Sequence, residues 1–223
     1  LSEIMAAASE VFAGEGAEIV GGHSSMGSEL TVGFTVTGLA RAAPVTLAGG
    51  QPGDALILTK PVGSGTVLAG EMALAARGEW VAAALESMAR PQGDAAAALS
   101  AAHAMTDVTG FGLAGHLMGM CDASGCGAEL ELSALPVLPG AEALAARGVR
   151  STLYPQNRTV AARMTLPEGP RADLLFDPQT AGGLLAAVPG KEAKACLDRL
   201  RTAGFAAARI GRLTEGPPAI AVA

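Results

Sequence analysis

Residues 55–65 read Ala-Leu-Ile-Leu-Thr-Lys-Pro-Val-Gly-Ser-Gly. Ala55–Thr59 is apolar on both faces of an extended chain, which is the mark of a strand buried from two sides. Lys60–Gly65 is a glycine loop, and it opens into a helical stretch from about Thr66 to Arg77 with Gly78 past its end. A buried strand running through a tight loop into a helix calls for helices layered on a sheet. The flanking sequence agrees. Alanine-rich helices are expected near Trp80–Ala89 and Asp94–His103, and another leads from the Met105–Gly112 loop to about Asp122. Ala128–Leu132 reads as a strand and Ala141–Arg147 as a short helix, and residues 149–172 read as a long loop. Asp173–Phe176 and Gly183–Val188 read as strands around Asp177–Gly182. In Lys191–Ala203, Ala193, Cys196, Leu197 and Leu200 share one helical face, and Gly204 ends it. Two strands, Ala207–Leu213 and Ala219–Ala223, close the chain.

Upstream of Ala55 the pattern changes. Ser2 to Phe12 reads as a helix. Ala17–Val20 reads as a short strand running into Gly21-Gly22-His23-Ser24-Ser25, and Glu29–Thr37 alternates with Leu30, Val32, Phe34 and Val36 on one face. Arg41–Pro44 and Gly49–Asp54 punctuate the sequence and mark the best candidate boundary. The fold class is therefore α+β, with mixed α/β layers.

Composition excludes several classes. The 223 residues are 50% hydrophobic and 16% charged, so the chain is neither disordered nor a coiled coil. Net charge is −6 and no basic block occurs, which argues against nucleic acid as a partner. No stretch of about 18 residues is uniformly apolar, so no membrane span is expected. Three cysteines without a C-x-x-C pattern fit a reducing, cytoplasmic setting.

Three loops carry candidate chemistry. Gly21-Gly22-His23 can bring backbone N–H groups close to a phosphate, or can be a plain turn. Lys60–Gly65 has the form of an anion loop at a helix N-terminus, but it matches neither a Walker A sequence nor the dinucleotide fingerprint. Asp107, in Thr106-Asp-Val-Thr-Gly-Phe-Gly112, can bind Mg²⁺ or cap the next helix. His23, His103 and His116 lack the spacing of a zinc site, and His116 on its apolar helix reads as a hydrogen-bonded core residue.

Five segments occur in order: Gly21-Gly-His-Ser24, Val36-Thr-Gly-Leu39, Leu58-Thr-Lys-Pro-Val-Gly-Ser-Gly65, Thr106-Asp-Val-Thr-Gly-Phe-Gly-Leu-Ala-Gly-His116 and Leu175-Phe-Asp-Pro-Gln-Thr-Ala-Gly-Gly-Leu184. Together they resemble selenide, water dikinase, the selenophosphate synthetase family, over residues 10–213. The resemblance implies a fold of the aminoimidazole ribonucleotide synthetase type. It implies a reaction in which ATP, selenide and water give selenophosphate, AMP and phosphate. It implies ATP and Mg²⁺ as cofactors and a homodimer paired through N-terminal halves. Gly21, Gly22 and His23 then correspond to a nucleotide-contacting stretch and Asp107 to a metal ligand, while Lys60 and Asp177 stay open between anion contact and loop structure. The front of the chain departs from the family pattern. No Cys precedes Cys121, no Lys precedes Lys60 and no Asp precedes Asp54. The resulting expectation is a remnant of the N-terminal ATP-binding domain over 1–43 and a C-terminal α/β domain over 44–223. Such a chain would lack the family's nucleophile and be inactive alone, with an unpaired sheet edge needing cover.

Overall fold

A computed structural model describes residues 1–40 and 42–223; Arg41, in the expected boundary, lies outside the described residues. The chain forms two compact units, Leu1–Pro44 and Val45–Ala223.

In the first unit, α1 (Ser2–Gly14) buries none of its residues. The Ala17 N–H closes its end by donating to Phe12 O at 2.8 Å, and the Phe12 ring meets Phe34 edge-on at 5.3 Å. The strands expected at 17–20 and 29–37 do not form. Apart from that Ala17 bond, no backbone–backbone hydrogen bond ties either stretch among the described residues. A strand exists only through a ladder to a neighbour. The alternating residues therefore stay in solvent, with Leu30 75% and Val36 72% exposed.

The second unit begins with β1 (Ala55–Leu58), followed by α2 (Ser64–Met72), α3 (Gly78–Ala89), α4 (Gly93–Ala98) and β2 (Ala104–Asp107). Then come α5 (Gly112–Ser124), β3 (Gly127–Leu130), α6 (Ala141–Ala146), α7 (Tyr154–Asn157), β4 (Met164–Thr165) and α8 (Pro170–Asp173). The last elements are β5 (Leu184–Val188), α9 (Ala193–Thr202), β6 (Ala208–Thr214) and β7 (Ile220–Val222). The strands make one seven-stranded sheet in the order β2-β5-β1-β6-β3-β7-β4. Central β1 runs antiparallel to both β5 and β6, whereas β7 is parallel to β3 and β4.

All four residues of β1 are buried, and the two-residue period divides them between two cores. Leu56 and Leu58 join Leu113, Leu117 and Met120 of α5 on one face. Ala55 and Ile57 join Ala95 of α4 and Cys196 and Leu200 of α9 on the other. Each fully buried Leu or Ile contributes about 1.5–3 kcal/mol over an exposed one, so this single strand anchors both helical layers.

Several local expectations change. Ala104–Asp107, expected to lie mostly in a polar loop, is the edge strand β2, whose one strand partner among the described residues is β5. Asp173–Phe176 is not a strand: Asp173 ends α8, and Leu174–Phe176 form one 3₁₀ turn with all three side chains buried. An apolar triplet buries equally well in a turn, so composition cannot separate the two. The helix expected over 94–103 is only Gly93–Ala98, because Ala102 and His103 turn the chain toward β2. The region 149–172 contains α7, a 3₁₀ segment at Arg158–Arg163, β4 and the start of α8.

Candidate functional site

Asp107 is the last residue of β2, opposite Leu184 of β5, and is exposed. It does not cap α5, which starts five residues later with Phe111 at its N-cap position. The loop between them is tied at successive points. The Val108 N–H donates to Gly183 O at 2.8 Å, and Thr109 O accepts from Gly112 N at 3.0 Å and Gln179 N at 3.0 Å. His116, one and a half turns into α5, accepts the Thr109 N–H on Nε2 at 3.0 Å. Asn157 Nδ2 donates to Gly110 O at 2.8 Å and Phe176 O at 3.0 Å. Gly182 lies so close that a Cβ there would sit 2.1 Å from Val108 O, which only glycine permits. The frame around Asp107 is thus fixed, while its carboxylate makes no ion pair among the described residues. Its only side-chain hydrogen-bond partner among the described residues is the Thr106 hydroxyl, at a marginal 3.5 Å.

His116 is held in its neutral form. Burial pushes it below its ordinary value of 6.5, and the Asp107 charge pulls weakly the other way. The sign of the linkage follows: between the depressed folded value and 6.5 the unfolded chain binds the proton more readily, so stability falls as the pH drops through that window. Urea unfolding midpoints measured from pH 7.5 down to 5 are expected to decline, with a shallower decline in His116→Gln.

Behind this frame the Asp177–Thr180 loop grips the start of α2. Gln179 Oε1 accepts from Gly63 N at 3.0 Å, Ser64 N at 3.2 Å and Ser64 Oγ at 3.1 Å. Gln179 Nε2 donates to Asp177 O at 2.7 Å and Oδ2 at 3.0 Å. The Thr66 hydroxyl donates to Asp177 Oδ1 at 2.7 Å, and Thr180 N donates to Ser64 Oγ at 3.0 Å. Asp177 is 1% exposed and burial pushes its carboxyl above the usual range, opposed by these donors. Gly63, the N-cap of α2, has φ +116°, and a Cβ there would meet Ala141 Cβ at 2.4 Å. The anion-loop form of Lys60–Gly65 therefore serves a protein acceptor. The donors at the start of α2 are taken by Gln179 Oε1 (Gly63 and Ser64 N–H) and Pro178 O (Gly65 N–H), and Lys60 Nζ turns away to Arg90 O and Ala181 O. Asp177 is loop structure, not a solvent-facing ligand.

Gly21, Gly22 and His23 are exposed in the first unit, where they line a cleft of about 450 Å³ with Met5, Ile19 and Phe34. No cluster of three or more His, Cys, Asp or Glu forms among the described residues. Asp107 nevertheless suits a hard cation that takes one or two carboxylates and completes its shell with phosphate oxygens and water. Burial pushes the Cys121 thiol up to about 12 and raises Cys126 and Cys196 as well; all three are buried and so inert. His116 had a legible signal, as the polar residue on an apolar helix. Asn157 had none: it sits 47 residues from the loop it holds, and its side chain is buried.

Residues 51–222 match the family model described as AIR synthase related protein, C-terminal domain. The chain is 38% identical over 232 residues to the selenide, water dikinase of Myxococcus xanthus, covering 100% of this chain and 66% of that protein. It is 36% identical over 216 residues to selenide, water dikinase 2 of Peptoclostridium acidaminophilum, covering 94% of this chain and 62% of the relative. The chain thus spans just under two thirds of the curated relatives it matches. Among solved structures it is similar to E. coli HypE, with a TM-score of 0.58 and 24% identity over 80% of this chain and 49% of that one. Thiamine-monophosphate kinase of Stenotrophomonas maltophilia gives 0.57 and 17% over 82% and 54%. At these identities the two structures establish the fold alone. No helix among the described residues is long and apolar enough to cross a membrane.

Proposed function

The chain belongs to the AIR synthase related family through its C-terminal domain, and from that premise we propose that it is the C-terminal portion of a selenide, water dikinase. The reaction is ATP, selenide and water giving selenophosphate, AMP and phosphate. The observation that carries this reading is the Asp107 carboxylate, exposed and without a cationic partner among the described residues, at the end of a strand whose following loop is locked in place.

In this reading Asp107 is the carboxylate that this unit offers to Mg²⁺. When bound, the ion neutralises crowded triphosphate charge and orients the phosphoryl group. The chain's own residues position and bind. Val108 and Thr109 hold the Asp107 backbone against β5 and the Gln179 loop, so the carboxylate needs little reordering to meet its ligand. Gly21 and Gly22 offer backbone N–H groups to the nucleotide, with His23 beside them. Residues 1–43 act as a remnant of the ATP-binding domain. They pair with a second copy through apolar residues left in solvent, such as Val20 at 93% and Leu39 at 99% exposed. None of the three buried thiols serves as the selenide-handling nucleophile, so the chain alone makes no selenophosphate.

A chimera tests the assignment. This chain replaces the matching portion of the Myxococcus xanthus enzyme, and the purified protein is given ATP, Mg²⁺ and selenide. AMP formation dependent on selenide is expected. ADP as the product, or turnover indifferent to selenide, would show that the chain belongs to a different phosphotransferase.

A further inference from the structure

A cavity of about 250 Å³ opens beside the end of β1, α3 and the turn after α9. Pro61, Pro139 and Phe205 give it apolar walls, and Lys60 and Arg90 border it. Lys60 is only 4% exposed. Its ammonium donates to Arg90 O at 2.8 Å and Ala181 O at 3.2 Å, both neutral carbonyls. The Arg90 guanidinium lies over the Phe205 ring at 4.2 Å and donates to Gly204 O and Ala203 O, carbonyls again. Every ion pair among the described residues lies elsewhere. The carboxylate at the rim, Glu86, is exposed to water on α3 and bridges neither cation.

Buried charges in folded proteins are ordinarily paired. Here a buried lysine and an exposed arginine border one cavity, and neither is ion-paired among the described residues. An ammonium carries three N–H donors, and only two of those on Lys60 are used. The third donor suits an anion with at least one acceptor. Two cations match a dianion better than a single carboxylate, and lysine is a frequent point-charge ligand of phosphate. The volume is about that of eight liquid waters, enough for a hydrated tetrahedral ion.

We propose that this cavity is a binding site for a small tetrahedral dianion of the phosphate and sulfate class, held by Lys60 and Arg90. The assignment stands apart from the reaction proposed above, because none of its residues belongs to the Asp107 frame or the Gly21–His23 stretch.

Calorimetric titration of the whole chain with sodium sulfate, at constant ionic strength, tests it. Sulfate stays a dianion from pH 6 to 10, so any pH dependence belongs to the protein. Burial, with the Arg90 charge added, lowers Lys60 to about 8. Above that pH the free amine must regain a proton to bind, so affinity is expected to hold from pH 6 to 7.5 and then fall by up to tenfold per unit. Lys60→Gln is expected to weaken sulfate at least tenfold. Arg90→Gln, at an exposed position, is expected to weaken it severalfold and keeps the test alive if Lys60→Gln does not fold. Inorganic phosphate is expected to compete. The proposal is overturned if sulfate fails to bind at tens of millimolar, if affinity is flat across pH 8, if both variants bind as the parent does, or if acetate binds as tightly as sulfate.

Discussion

Gln179→Leu is expected to lower the stability of the chain by about 3–5 kcal/mol, a large share of the 5–15 kcal/mol typical of a domain. The side chain meets three donors from the start of α2 and gives two hydrogen bonds to Asp177. Leucine fills similar space but leaves the Gly63 and Ser64 N–H groups buried without an acceptor, each costing about 1–3 kcal/mol. It also strips one donor from the Asp177 carboxyl, which is already pushed up by burial. The loop would then relax, and with it the Gln179 N–H that holds Thr109 O beside the Asp107 frame. Urea unfolding measures the loss; a change under about 1 kcal/mol would mean that water replaces the side chain and the clamp is not a structural keystone.

Asp107→Asn separates function from folding in the opposite sense. The residue is exposed and makes no ion pair among the described residues, so the isosteric change is expected to leave stability within about 0.5 kcal/mol. It removes the charge that would meet the metal. Loss of that charge is expected to weaken Mg-ATP at least tenfold, about 1.4 kcal/mol. The contrast between the two variants is the useful feature: one unfolds the frame, and the other leaves it standing without its ligand.

The sequence made the layered part of the fold readable because its cues are local. Leu56 to Leu58 are apolar on both faces and are indeed buried on both, and α9 shows its buried stripe at Ala193, Cys196 and Leu200. Less was readable where structure depends on distant partners. Glu29–Thr37 has the alternation of a strand, but alternation describes faces and not hydrogen bonds, and no ladder forms among the described residues. The four residues of β2 carry a Thr-Asp pair typical of loops, and pairing with β5 overrides that preference. The Lys60–Gly65 loop shows the general limit. Glycines at a helix N-terminus present the same N–H groups to a phosphate or to a side-chain oxygen, and the acceptor here, Gln179, lies 116 residues away. The cavity at Lys60 was unreadable for a related reason, since its two cations share a wall only after β1, α3 and the turn following α9 are packed together.

The central claim is that Asp107 is this unit's contribution to a metal–nucleotide site. The most direct measurement is a calorimetric titration of the chain with ATP in the presence and absence of Mg²⁺, repeated on Asp107→Asn. The account predicts Mg²⁺-dependent binding to the parent chain that weakens at least tenfold in the variant, with both proteins equally stable to urea. Binding of equal strength in the two, or none to the parent chain, would contradict it.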